Sequence, residues 1–84
     1  MSRYFFDVDD DGVVQDDQGV ELINLHLARN YAVRVAQDCA SRHLSEGRNR
    51  SVAVSVRDPA GRRILKISLT CVIEDGASAH PLPR

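Results

Sequence analysis

The chain predicts an α+β fold, a two-layer sandwich with one long helix packed on an antiparallel sheet of three strands and an optional short fourth. Three stretches lead to that expectation. Ser51–Ile73 holds two alternating apolar runs around a turn signal, Leu25–Ser45 carries an apolar stripe at helical spacing, and Arg3–Val8 gathers three of the four aromatic residues. The 84 residues, 43% hydrophobic and 27% charged, suffice for one core, which predicts a single domain over residues 1–73.

The hairpin is the most legible element. Val52, Val54 and Val56 alternate with Ala53, Ser55 and Arg57, and Leu65, Ile67 and Leu69 alternate with Lys66, Ser68 and Thr70, the period of half-buried strands. Between them, Asp58-Pro59-Ala60-Gly61 offers an acceptor side chain, a fixed φ and a residue tolerant of positive φ. A lone hairpin is only marginally stable, so the rest of the chain is expected to cover its Val/Leu/Ile face.

Arg3–Val8 reads as a strand with Tyr4, Phe6 and Val8 on one side and Phe5 on the other. Asp7–Gly19 is rich in acid and turn formers, with a short ragged strand expected around Val13–Gln15, and Val20, Leu22 and Ile23 are expected to pack at the helix entrance. Asn24 is a suitable N-cap for a helix over Leu25–Ser45, whose stripe is Leu25, Ala28, Ala32, Val35, Ala36, Cys39 and Ala40. Small residues in that stripe suit close approach to a flat sheet. Gly47 ends the helix, Arg48-Asn49-Arg50 leads to the hairpin, and residues 74–84 read as a disordered tail. A helix returning antiparallel to the first strand makes Ser51–Arg57 parallel to it, so the last strand is expected in the middle of the sheet.

Charge is unevenly divided. Met1–Asn24 carries seven acidic residues against Arg3, whereas Leu25–Ile73 carries nine basic residues against Asp38, Glu46 and Asp58. Two cysteines are too few for a disulfide scaffold, and no signal peptide or long apolar run is recognisable. A cytoplasmic location with no membrane association is therefore expected.

The sharpest chemical pattern is Asp7-x-Asp9-x-Asp11-Gly12, the alternation by which an EF-hand-type loop places oxygens around Ca²⁺, with the Val13 carbonyl and Gln15 as further ligands. The twelfth position is Gln18, not a bidentate carboxylate, and a strand stands where a helix belongs. A turn-forming acidic loop explains the same residues, so Ca²⁺ is an alternative and no cofactor is the primary expectation. Nucleic-acid binding would rest on Arg57, Arg62 and Lys66 on the outer sheet face, with Arg48 and Arg50 beyond, but only Phe5 is available there to stack on a base. Cys39 and His43 are one helical turn apart and Cys71 lies on a strand, which is compatible with a metal site but equally with a buried thiol in the stripe. His26 and His80 have nothing to act with, and no nucleophile, base and orienter can be assembled. Tyr31, Leu27 and Leu44 lie off the main stripe and are candidates for a small interaction patch.

RYFFDV, the acidic turn with Gly12, DDQGVEL, Ala28-Arg29 with Ala32, and VAVSVRDPAGRRIL together resemble a family of short bacterial proteins defined by a domain of unknown function. The likeness covers about Arg3 to Leu69. It implies a stand-alone small domain and supplies no catalytic residues. The order of strand, acidic loop and helix is also similar to the antitoxin half of HicA/HicB-type systems. The expected function is therefore a non-enzymatic domain that binds a protein partner or forms a homodimer, with a nucleic-acid-associated or antitoxin-like regulator as the alternative.

Overall fold

The computed structural model describes residues 1–47 and 49–74. The elements are β1 (Ser2–Asp9), β2 (Val13–Val14), β3 (Val20–Leu22), α1 (Leu25–Ser45), β4 (Arg50–Arg57) and β5 (Arg63–Cys71). One helix lies on one face of a single antiparallel sheet, the α+β arrangement expected. The disordered tail expected at 74–84 lies outside the described residues except for Glu74, and Arg48 and His80 also fall outside them.

The strand order is β2-β1-β4-β5, with β3 also paired to β1. The expectation that the last strand sits in the middle is thus corrected: β4 is central, antiparallel to β1 with Phe6 opposite Val56 and Val8 opposite Val54, and β5 is an edge. The reason is a count of chain reversals. Val20–Leu22, expected only to pack at the helix entrance, forms β3, antiparallel to β1 with Ser2 opposite Leu22 and Tyr4 opposite Val20. That added reversal turns the helix to run alongside β1 and brings β4 back antiparallel to it. The strand expected at Val13–Gln15 is confined to Val13–Val14, opposite Asp9 and Val8.

The two periodicities assign the core. Tyr4, Phe6, Val54 and Val56 are buried beneath Ala28, Ala32 and Ala36 of α1, with Val8, Val20, Leu22, Val35, Leu65, Ile67 and Leu69 packed around them, and Val52 is buried further along β4. Full burial of each β4 valine contributes about 1.5–3 kcal/mol. Leu25, placed in the helical stripe by spacing, is instead 45% exposed, and His43 closes the stripe at its other end. Tyr31 leans over the core edge, its ring centroid 4.6 Å from that of Phe6.

Local chemistry fixes the ends of the elements. The Asn24 side chain accepts from the Leu27 N–H at 3.0 Å, and Gly47, at φ +71°, ends the helix while its N–H donates to the Leu44 carbonyl. In the hairpin loop the Asp58 carboxylate accepts from the Ala60 and Arg62 N–H groups at 3.0 and 2.9 Å. The Arg62 N–H is the main reason the Asp58 carboxyl is held below its ordinary range. The loop runs through Arg62, one residue longer than the expected turn, and β5 slips by one residue against Val56/Arg57 so that Ile64 has no opposite number.

The close approach of α1 to the sheet requires alanine at its centre. Ala32→Leu is expected to lower unfolding free energy by about 1–3 kcal/mol through overpacking. Urea denaturation of this variant against Arg34→Leu, on the exposed side of the helix, measures the difference.

Candidate functional site

The sheet has one covered face and one bare face. On the bare face β4 presents small side chains, Ala53 and Ser55, between Asp7 and Asp9 on one side and Arg63 and Lys66 on the other, around a shallow hollow of about 450 Å³. Its most ordered feature is a knot of charged groups at the β1 end. The Arg57 Nε and Nη2 donate to the Asp7 carboxylate at 2.7 and 3.1 Å, Nη2 also donates to the Asp16 carbonyl at 2.7 Å, and the guanidinium lies 5.0 Å from the Phe5 ring centroid.

Asp16 is the pivot of this knot. The break between β2 and β3 leaves the middle of β1 without a strand on that side, and the Asp16 carboxylate fills the gap by accepting from the Phe6 N–H at 3.1 Å. Its other oxygen accepts from the N–H groups of Gln18 and Gly19, while the Asp16 N–H donates to the Asp7 carboxylate at 2.9 Å. Gly19 follows at φ +76°, where an added Cβ would sit 2.7 Å from Arg3 Cγ and 2.9 Å from the Phe5 ring. Arg3 completes the clamp by donating to the Gln18 carbonyl and pairing with Glu21 at 3.0 Å.

These contacts depress both carboxyl pKa values. The hydrogen bond from Arg57 holds Asp7 below the ordinary 3.8, against a smaller upward push from burial. For Asp16 burial is the largest single influence and acts upward, but the N–H groups of Gly19, Phe6 and Gln18 together with the Arg57 charge outweigh it. Arg57 is raised in turn, chiefly by Asp7.

The proposed Ca²⁺ ligands are drawn apart. Asp7 faces Arg57, Asp9 faces the bare sheet, Asp11 pairs with Arg50 at 2.9 Å from a left-handed backbone at φ +62°, and Val13 and Gln15 are exposed. Among the described residues, no group of three or more His, Cys, Asp or Glu side chains is arranged to hold a metal ion. Asp10 bonds to the buried His43 at the end of the helix. The Nδ1 atom of His43 has Glu46 at 3.9 Å and no hydrogen-bond partner among the described residues. Cys39 is buried and accepts from Arg42 at 3.3 Å, Cys71 is buried at the end of β5, and among the described residues the two thiols and His43 do not form a metal-holding group. His26 is exposed on the first turn of α1.

The basic set is rearranged as well. Arg57 is spent on Asp7 and Asp16, and Arg62 stays in the hairpin loop with a side chain 82% exposed, 3.6 Å from Asp58. Alternation placed Arg62 beside Lys66, but the slip at Ile64 gives that place to Arg63.

The second candidate region is the free side of β5. There Gln37, Ala40, Ser41 and Leu44 of α1 face Leu69, Thr70, Cys71 and Val72 across a mostly apolar groove of about 420 Å³. Leu44, grouped with Leu27 and Tyr31 by the sequence, is 50% exposed beside this groove. Leu27 and Tyr31 line a separate, smaller hollow with Leu22, Asn30 and Arg34.

With this geometry in place, the family model of a domain of unknown function (DUF6894) matches residues 3–70. The chain belongs to this family. The match takes in every strand from β1 to almost the end of β5, together with RYFFDV and DDQGVEL, whose Phe6, Asp7, Asp16 and Gly19 form the knot. No curated protein and no solved structure matches the chain. No helix among the described residues is long and apolar enough to cross a membrane.

Asp16 escaped the sequence reading because its partners are backbone N–H groups; the one available signal was an Asp three residues before a Gly in DDQG. Asp16→Ala is expected to cost about 2–3 kcal/mol by leaving N–H groups unsatisfied, and Gly19→Ala more than about 1 kcal/mol. Thermal unfolding checks both. Because the folded pKa values of Asp7 and Asp16 lie below the unfolded 3.8, their stabilisation is present above that value and disappears as pH falls through the depressed values. The urea midpoint should therefore drop between pH 5 and pH 2, and drop less in Asp7→Asn/Asp16→Asn.

Proposed function

We propose that this protein is a non-enzymatic interaction module that works by binding another polypeptide chain along the β5 edge of its sheet. The observation that carries this reading is the contrast between the two edges. The β1 edge is closed by β2, β3 and Asp16, whereas the nine residues of β5 form an edge strand with an apolar groove beside it. Exposed edges offer backbone donors and acceptors to a further strand, and the groove supplies apolar contacts for its side chains.

A non-enzymatic role is supported by how the polar groups are employed. Asp7, Asp16 and Arg57 satisfy one another and the backbone, and His43, buried against Asp10, has no thiol or hydroxyl within hydrogen-bond reach of Nδ1 among the described residues. General acid–base chemistry needs a titratable group within reach of a substrate proton.

The test is amide NMR of isotope-labelled protein in cell extract and at rising protein concentration. Broadening or shifts confined to β5, Leu44 and Val72 are expected. Unchanged spectra under both conditions would count against the reading. Salt-sensitive changes at Arg63 and Lys66 on adding oligonucleotide would instead favour a nucleic-acid-associated regulator.

A further inference from the structure

We propose that the polypeptide which completes the sheet is a second copy of this chain, with the two β5 strands joined antiparallel about a two-fold axis at Ile67. This rests on the preceding reading of the β5 edge and names its occupant. β5 runs from Arg63 to Cys71, so Ile67 is its midpoint, and only a register centred there pairs the strand along its whole length.

Burial points to the same seam. Val52, Val54 and Val56 on β4 are 0–1% exposed, whereas Leu65, Ile67 and Leu69, one strand outward on the same face, are only half-buried. The helix cover stops short of the edge. In the Ile67 register, Leu65 of each copy lies opposite Leu69 of the other, and the two Ile67 side chains meet on the axis. An apolar ladder then continues across the joint.

The polar face discriminates between registers. Centring on Ile67 sets Lys66 opposite Ser68 of the second copy, while a two-residue slip centred on Lys66 sets two like charges directly opposite. Between Ile64 and Cys71 β5 has no proline and no charge on its inward face; its one charge there, Lys66, lies on the outer face, and its irregularity, at Ile64, is confined to one end of the strand.

The helices fit the same arrangement. α1 rests over β4 and β5, so a two-fold axis beyond β5 brings the two helices onto the same face of one continuous sheet. The flank turned toward the seam is Gln37, Ala40, Ser41 and Leu44, spaced i, i+3, i+4 and i+7, with small residues at its centre. The groove becomes part of the joint between two helices over one continuous sheet.

Sedimentation velocity of the full chain from micromolar to millimolar concentration tests this, together with Ser68→Lys and Ser68→Glu. Ser68 is exposed and opposite Ala53 within the monomer, so neither change alters the fold, which circular dichroism verifies. A reversible dimer is expected, with dimer affinity about fivefold or more lower for Ser68→Lys and higher by a similar factor for Ser68→Glu, because each dimer contains two such contacts with Lys66. A dimer indifferent to both substitutions overturns the proposed register and interface. A chain monomeric at millimolar concentration overturns the second copy as occupant. If that monomer's β5 amides still respond in cell extract, the edge reading survives with a different partner; if they do not, both fail.

Discussion

A single carboxylate substitutes for a strand at the place where this sheet would otherwise come apart. β1 needs a neighbour along its full length, but the segment beside it is two short strands, Val13–Val14 and Val20–Leu22, with a break between. The Asp16 carboxylate spans the break, taking the Phe6 N–H on one side and the Gln18 and Gly19 N–H groups on the other. Arg57 reaches across from β4 to hold both Asp7 and the Asp16 carbonyl, so the repair to one edge is tied to the central strand. Charge-assisted bonds of this kind are among the stronger ones available to a small domain.

That construction explains the charge division of the sequence. The acidic front and the basic body are halves of one folded unit: Asp7 meets Arg57, Asp11 meets Arg50, and Asp10 meets His43. Two carboxylates of the pattern that resembles a Ca²⁺ loop, Asp7 and Asp11, are engaged by different arginines in these contacts. A consequence is that the middle of β1 and the acidic turn are committed internally, while among the described residues β5 is an edge strand with an apolar groove beside it.

What could be read from the letters follows physical range. The hairpin valines and the alanine stripe were legible because burial repeats every two residues in a strand and every three or four in a helix. The place of β4 next to β1 was not, because it depends on whether Val20-Glu21-Leu22 counts as a strand, and three residues carry no periodicity. Arg62 was put on the sheet face by alternation, yet one unpaired residue, Ile64, moves Arg63 there instead. Asp16 was invisible for a different reason, since its partners are main-chain groups that any residue would supply. The family match covers residues 3–70 and assigns no activity.

The central claim is that one edge of the sheet is sealed by side-chain chemistry and the other is open. Amide hydrogen exchange of the dilute protein measures both at once. The account predicts that the Phe6 and Gly19 amides exchange as slowly as those of β4, that alternate β5 amides exchange fast, and that the fast set slows as protein concentration rises. Fast exchange at Phe6, or uniform protection along β5 at every concentration, would contradict it.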